Sequence, residues 1–136
     1  MPTPGYSGKP LGVKLGLKPG TSVCVMNEPA DMPSFLDLAE YDVQVCKLDA
    51  GHLDFVLLFA MRADQLQIDF AAAANAIATA GMVWVAWPKK SARSDTDLVE
   101  NTVRDIGLAA GLVDVKVCAV SDFWSGLKFL RRLKDR

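Results

Sequence analysis

Three consecutive segments between Asp54 and Trp87 decide the fold. They read Asp54-Phe-Val-Leu-Leu-Phe-Ala60, then Asp64-Gln-Leu-Gln-Ile-Asp-Phe-Ala-Ala-Ala-Ala-Asn-Ala-Ile-Ala-Thr-Ala-Gly81, then Met82-Val-Trp-Val-Ala-Trp87. The first is apolar throughout, as a strand covered on both faces must be. In the second, Leu66, Phe70, Ala73 and Ile77 recur at intervals of four, three and four, which lines one face of a helix. Asp64 and Gln67 have capping-box spacing at its start, and Gly81 supplies a stop. The third has strand character. Strand, helix and strand in this order predict a parallel pair joined by a crossover helix. Phe70–Trp87 carries no charge over eighteen residues, near the length of a membrane span. Asn75, Thr79 and Gly81 interrupt it, so the reading is helix followed by central strand.

Working outward, Asp97 and Glu100 form a second capping box. It opens a helix whose apolar face is Val99, Val103, Ile106 and Ala110, and Gly111 ends it. Asp114–Val120 is the next strand. Ser125–Leu133 fits a strand paired antiparallel with it through the short link Ser121–Trp124, although Leu127, Leu130 and Leu133 also have helical spacing. Upstream, Pro10–Leu17 predicts a short helix, Lys18-Pro-Gly20 a turn and Ser22–Met26 a buried strand. Pro33–Glu40 predicts another short helix, with proline in its first turn. Asp42–Lys47 alternates like a half-buried strand. Only six residues separate Lys47 from Asp54. That is short for a parallel crossover, so this strand either runs antiparallel or returns through an extended segment. The expectation is a single α/β domain over residues 1–136. It has a mostly parallel Rossmann-like sheet, helices on both faces and a C-terminal antiparallel hairpin.

Of the 136 residues, 51% are apolar and 23% charged, which excludes disorder. The net charge of −1 argues against a nucleic-acid-binding surface. The charge is unevenly spread: +3 over residues 1–20, −7 over 21–85 and +3 over 86–136. The three cysteines, Cys24, Cys46 and Cys118, form no CxxC pair and are odd in number. No basic–apolar leader pattern opens the chain, so a reduced, cytoplasmic protein with no membrane attachment is expected.

Several of these stretches resemble known families. Leu15-Gly-Leu-Lys-Pro-Gly20 before an apolar strand is similar to the lead-in to the first strand of class I S-adenosylmethionine-dependent methyltransferases. Leu53-Asp-Phe-Val-Leu-Leu58 resembles their fourth strand and Gly81-Met-Val-Trp-Val85 their fifth. Val115–Val120 with Leu127–Arg131 resembles the last two. A closer resemblance is to a family of small bacterial α/β proteins of unassigned biochemistry. It shares Gly5-Tyr-Ser-Gly-Lys-Pro10 with Lys14-Leu-Gly16, Val83-Trp-Val-Ala-Trp-Pro-Lys-Lys90, and Thr96-Asp-Leu98 with Asn101 and Val103-Arg-Asp105. It also shares Gly111–Cys118 and Trp124-Ser-Gly-Leu-Lys128. The methyltransferase resemblance implies an adenosyl pocket after the first strand, with Asp49 as the acid on the ribose. The chain departs from that pattern there, because Met26-Asn-Glu-Pro-Ala-Asp31 replaces a glycine-rich loop. Side chains occupy the space that close backbone approach needs, and Pro29 removes an amide donor. No cofactor is therefore expected, and S-adenosylmethionine is the one to test.

In open α/β sheets, ligands collect beyond the carboxyl ends of the strands. That rule picks out Asn27 and Glu28, then Arg62, then Trp87, Lys89, Lys90 and Arg93 ahead of the second helix. Lysines beside a helix N-terminus suit an anion, but Asp95, Asp97 and Glu100 on the same turn would compete with it. Ser7 and Lys9 in the glycine-bearing arm suit phosphate, or the arm simply covers a sheet edge. His52 is the only histidine, so no His-pair metal site exists. No Ser–His–Asp set and no nucleophile elbow can be assembled, and no catalytic or metal residue is assigned. The functional expectation is a non-catalytic, methyltransferase-like binding or interaction module for a small anionic ligand. The alternatives are an enzyme with an altered cofactor pocket, a divergent methyltransferase, and a subunit of a homo-oligomer or protein complex.

Overall fold

The computed structural model describes residues 10–92 and 94–136. The arm carrying Ser7 and Lys9 lies outside the described residues, and so does Arg93. In chain order the elements are α1 (Leu11–Leu15), β1 (Ser22–Met26), β2 (Gln44–Val45), β3 (Leu53–Phe59) and α2 (Ala63–Ala76). They continue with β4 (Ile77–Pro88), α3 (Glu100–Ala109), β5 (Leu112–Ala119) and β6 (Trp124–Arg131). The strands form one six-stranded sheet in the order β2-β1-β3-β4-β6-β5. β1 to β4 pair in parallel, and β6 is antiparallel to both β4 and β5. The decisive strand–helix–strand stretch is thus the parallel β3–α2–β4 unit at the sheet centre. The C-terminal segment is a strand rather than a helix.

Two cores flank the sheet. On one face α2 and α3 bury Leu66, Phe70 and Val103 against Val83, Val85, Leu127 and Phe129. Each such side chain contributes about 1.5–3 kcal/mol through burial. The Phe70 and Phe129 rings meet edge to face at 5.0 Å. On the other face α1 and the segment after β1 bury Leu15, Met32 and Leu36 against Phe55, Leu57 and Trp84. The odd spacing of Trp84 and Trp87 does place them in opposite cores. Trp84 is fully buried, and its indole N–H donates to the Leu15 carbonyl at 2.7 Å, tying α1 to the sheet.

Several boundaries differ from the sequence reading, each for a physical reason. Pro33–Glu40 is not a helix but two 3-10 turns, Met32–Ser34 and Leu38–Tyr41. Asp37 between them is extended and accepts from the Ala39 amide at 3.1 Å, which starts a new turn. The strand expected over Asp42–Lys47 shrinks to Gln44–Val45, the outer edge of the sheet. It is parallel to β1, and the chain returns past β1 to β3 through the 3-10 turn Leu48–Ala50 instead of a helix. α2 ends at Ala76, not at Gly81, and β4 starts at Ile77. Arg131 on β6 makes the early stop favourable by donating to the carbonyls of Ala74 and Ile77 at 2.9 and 2.8 Å. The final carbonyls of the helix are then answered from across the sheet. Gly81 sits instead where β3–β4 pairing shifts register, against the Leu53 carbonyl. On α3, Val103 is buried as expected, but Val99 and Ala110 are exposed, and Gly107 takes the remaining contact with the sheet.

Gly107 is where α3 touches the sheet most closely, since an added Cβ would overlap the Phe129 ring. Alanine normally favours a helix interior over glycine by about 1 kcal/mol. Phe129 is fully buried and wedged against Phe70, so overlap outweighs propensity. Gly107→Ala is expected to lower unfolding free energy by roughly 1–3 kcal/mol in urea titration.

Candidate functional site

Past the carboxyl end of β4, the chain leaves the sheet at Trp87-Pro88-Lys89-Lys90 and re-enters regular structure at Glu100. Between these points lies a crevice of about 420 Å³, walled by Trp87, Lys89, Lys90, Thr96, Glu100 and Ser125 among others. Trp87 is 5% exposed and forms part of the floor, directly opposite Ser125 on β6. The Lys89 amide donates to the Phe123 carbonyl at 2.8 Å, which fixes where the two lysines leave the sheet.

The segment 95–97 packs onto the start of α2. The Thr96 hydroxyl donates to the Met61 carbonyl at 2.6 Å, and Arg62 pairs with Asp95 at 3.0 Å. Asp97 accepts from the Ala63 amide at 2.9 Å. Both expected capping boxes are therefore corrected. Asp64 lies inside α2, whose N-cap is Arg62, and α2 is capped by Asp97 from another loop. α3 starts from Val99, which offers no side-chain cap. Glu100 pairs with Arg104 at 2.7 Å, and Arg104 also holds Asp114 at 2.8 Å.

Asp95 and Asp97 are thus engaged outside the crevice, and Glu100, which lines it, is paired with Arg104. Lys89 and Lys90 enter no ion pair among the described residues. The crevice is lined by Lys89 and Lys90, by hydroxyls at Ser94 and Ser125, by Glu100 in its pair with Arg104, and by the start of a ten-residue helix that has no side-chain cap. This arrangement suits a small anion.

The other expected residues are not gathered there. Asn27 adopts φ 58 at the end of β1, and its side-chain amide donates to the Phe59 carbonyl at 3.1 Å and to Asp69 at 2.9 Å. Glu28 is exposed beside it, and Arg62 is occupied by Asp95. Asp49 and His52 are exposed in the link between β2 and β3. These residues do not match a glycine-loop cradle for an adenosyl group. The notch past β1 is crossed by the Asn27 side chain, and Pro29 has no amide to give. Burial raises the Cys24 thiol above its usual range, and Cys46 raises it further, the reverse of an activated nucleophile. Among the described residues no His, Cys, Asp and Glu cluster could hold a metal ion, and no helix is long and apolar enough to cross a membrane.

The reading from sequence did not single out Ser94 or Ser125. Ser125 became visible only once β6 was paired with β4, because nothing local to it marks a site.

With this geometry in view, the architecture can be compared with known structures. Magnesium protoporphyrin IX methyltransferase from Synechocystis PCC 6803 with bound SAM superimposes with a TM-score of 0.59 at 11% identity, covering 90% of this chain and 74% of that one. 1,6-Didemethyltoxoflavin-N1-methyltransferase from Burkholderia thailandensis gives 0.57 at 12%, covering 89% and 74%. The fibrillarin pre-rRNA processing protein of Methanococcus jannaschii gives 0.56 at 12%, covering 89% and 73%. No protein-family model and no curated protein sequence matches the chain. The fold is therefore the methyltransferase-like Rossmann fold.

The Asp97 cap gives a direct check. Asp97→Ala is expected to cost about 0.5–2 kcal/mol in chemical denaturation and to expose the Ala63 amide to hydrogen exchange. Asp64→Ala is expected to cost less and to leave that amide protected.

Proposed function

We propose that the chain is a methyltransferase-fold binding module that holds a small anion in the crevice past β4 and does not transfer methyl groups. One observation carries this reading. Asp95, Asp97 and Glu100 are each engaged by a partner, while Lys89, Lys90 and the uncapped start of α3 face the same crevice. Trp87 in the floor would pack against a flat, apolar part of such a ligand. The absence of a glycine-loop match past β1 argues against an adenosyl cofactor.

A second reading is a divergent methyltransferase, and the structural neighbours favour it: the Synechocystis enzyme carries bound SAM and the Burkholderia enzyme carries bound S-adenosylhomocysteine. In that case Asn27, Glu28 and Asp49 would surround the cofactor through side chains instead of a glycine loop.

Two titrations separate the readings. Isothermal titration with S-adenosylmethionine is expected to show no saturable heat, and micromolar affinity would establish the second reading instead. A thermal-shift screen of small aromatic and aliphatic phosphates and carboxylates is expected to find ligands that stabilise the wild type. The Lys89→Met/Lys90→Met variant should lose stabilisation by the ligands that need the crevice lysines. If every ligand that stabilises the wild type stabilises this variant equally, the crevice is removed from consideration.

A further inference from the structure

A second basic cluster lies on the opposite face of the sheet from the crevice. Lys116 on β5 and Lys128 on β6 are directly paired across the antiparallel ladder. Leu127 and Phe129, the neighbours of Lys128, point into the α2–α3 core, so Lys128 itself stands on the α1 face. There it flanks Trp84, its partner on β4, which packs beneath Leu15 of α1. The Lys116 ammonium reaches over α1 and donates to the Lys14 carbonyl at 3.2 Å. Lys18 follows three residues beyond the end of the same short helix.

Like charges directly opposite each other on a sheet are destabilising. The arrangement is worse than an ordinary solvated pair because Lys128 is half-buried. Its ammonium is held below the usual lysine range, first by burial and then by Lys116 and Lys18. The Lys14 carbonyl answers Lys116 but leaves Lys128 without a counter-charge among the described residues. The ion pairs among the described residues use only Arg62 and Arg104 as their cations. The segment that supplies α1 adds no acid either, since residues 1–20 contain three lysines and no carboxylate.

We propose that Lys116 and Lys128 form a second anion site that takes the phosphate group of a small ligand. A multiply charged, compact oxyanion suits two ammonium groups carried on flexible stems, because each can donate to a different oxygen. Such a ligand would turn a repulsive cross-strand pair into a bridged one. The site is independent of the crevice: it is built on β5, β6 and the α1 segment and shares no residue with it.

The test uses the full chain carrying Lys89→Met/Lys90→Met, so that the crevice lysines cannot contribute. Inorganic phosphate and glycerol phosphate are each titrated calorimetrically against this protein, with sodium chloride at matched ionic strength as the reference. Saturable phosphate binding is expected, weakened about tenfold or more by adding Lys128→Met or Lys116→Met. Tighter binding of glycerol phosphate than of inorganic phosphate would identify a phosphate monoester as the ligand, and the reverse order would identify the free ion. Without phosphate, the protein carrying Lys128→Met should melt at or above the temperature of its parent, because a repelled, half-buried charge has been removed. That result also shows that any lost binding is not lost folding. If Lys128→Met fails to fold, the comparison rests on Lys116→Met, whose side chain is exposed. No phosphate heat beyond the chloride reference, or binding that both substitutions leave intact, would overturn the proposal. The crevice reading would survive that outcome, since it is tested on the wild type and on other residues.

Discussion

The hydrogen bond from the Ala63 amide to Asp97 organises the carboxyl edge of the sheet. Asp97 is thirty-four residues away in sequence from the amide it caps, so it fastens the loop after β4 to the start of the helix after β3. Thr96 and Asp95 complete the fastening through Met61 and Arg62. An acidic turn is thereby used up in satisfying α2, whose first amides need an acceptor. The start of α3 then receives no side-chain cap, and the lysines beside it keep their charge uncompensated. The positive character of the crevice is a by-product of how α2 is closed.

The same fastening explains what could and could not be read from the chain. Apolar periodicity found β1, β3, α2 and the terminal hairpin, because burial on a sheet or helix face leaves a local pattern. The caps were misread because capping-box spacing is also local, whereas Asp97 finds its amide across the fold. The end of α2 failed for a related reason. Gly81 looks like a stop, but Arg131, fifty residues downstream in β6, answers the last carbonyls earlier. The edge strand β2 was overextended because alternation in Asp42–Lys47 says nothing about how many residues find a pairing partner. In the candidate site, Trp87, Lys89 and Lys90 were legible as residues at the end of a strand, while Ser125 needed the β4–β6 register. Asn27 and Arg62 were located correctly at strand ends but spend their polar groups on the protein itself.

The scaffold and the chemistry of its carboxyl edge thus separate. The strand order and reversed β6 give the fold that several methyltransferases share at 10–12% identity, a level at which sheet topology persists and site residues need not. Past β1, bulky side chains and a proline stand where backbone would have to approach a nucleoside. Past β4, cations and free amides converge.

Amide chemical shifts during titration with a small phosphate monoester examine this account most directly. In the protein carrying Lys128→Met, it predicts saturable shifts concentrated at Leu98, Glu100 and Asn101, around the start of α3, with the Asn27–Asp31 amides unmoved. Shifts confined to Asn27–Asp31, with α3 silent, would contradict it.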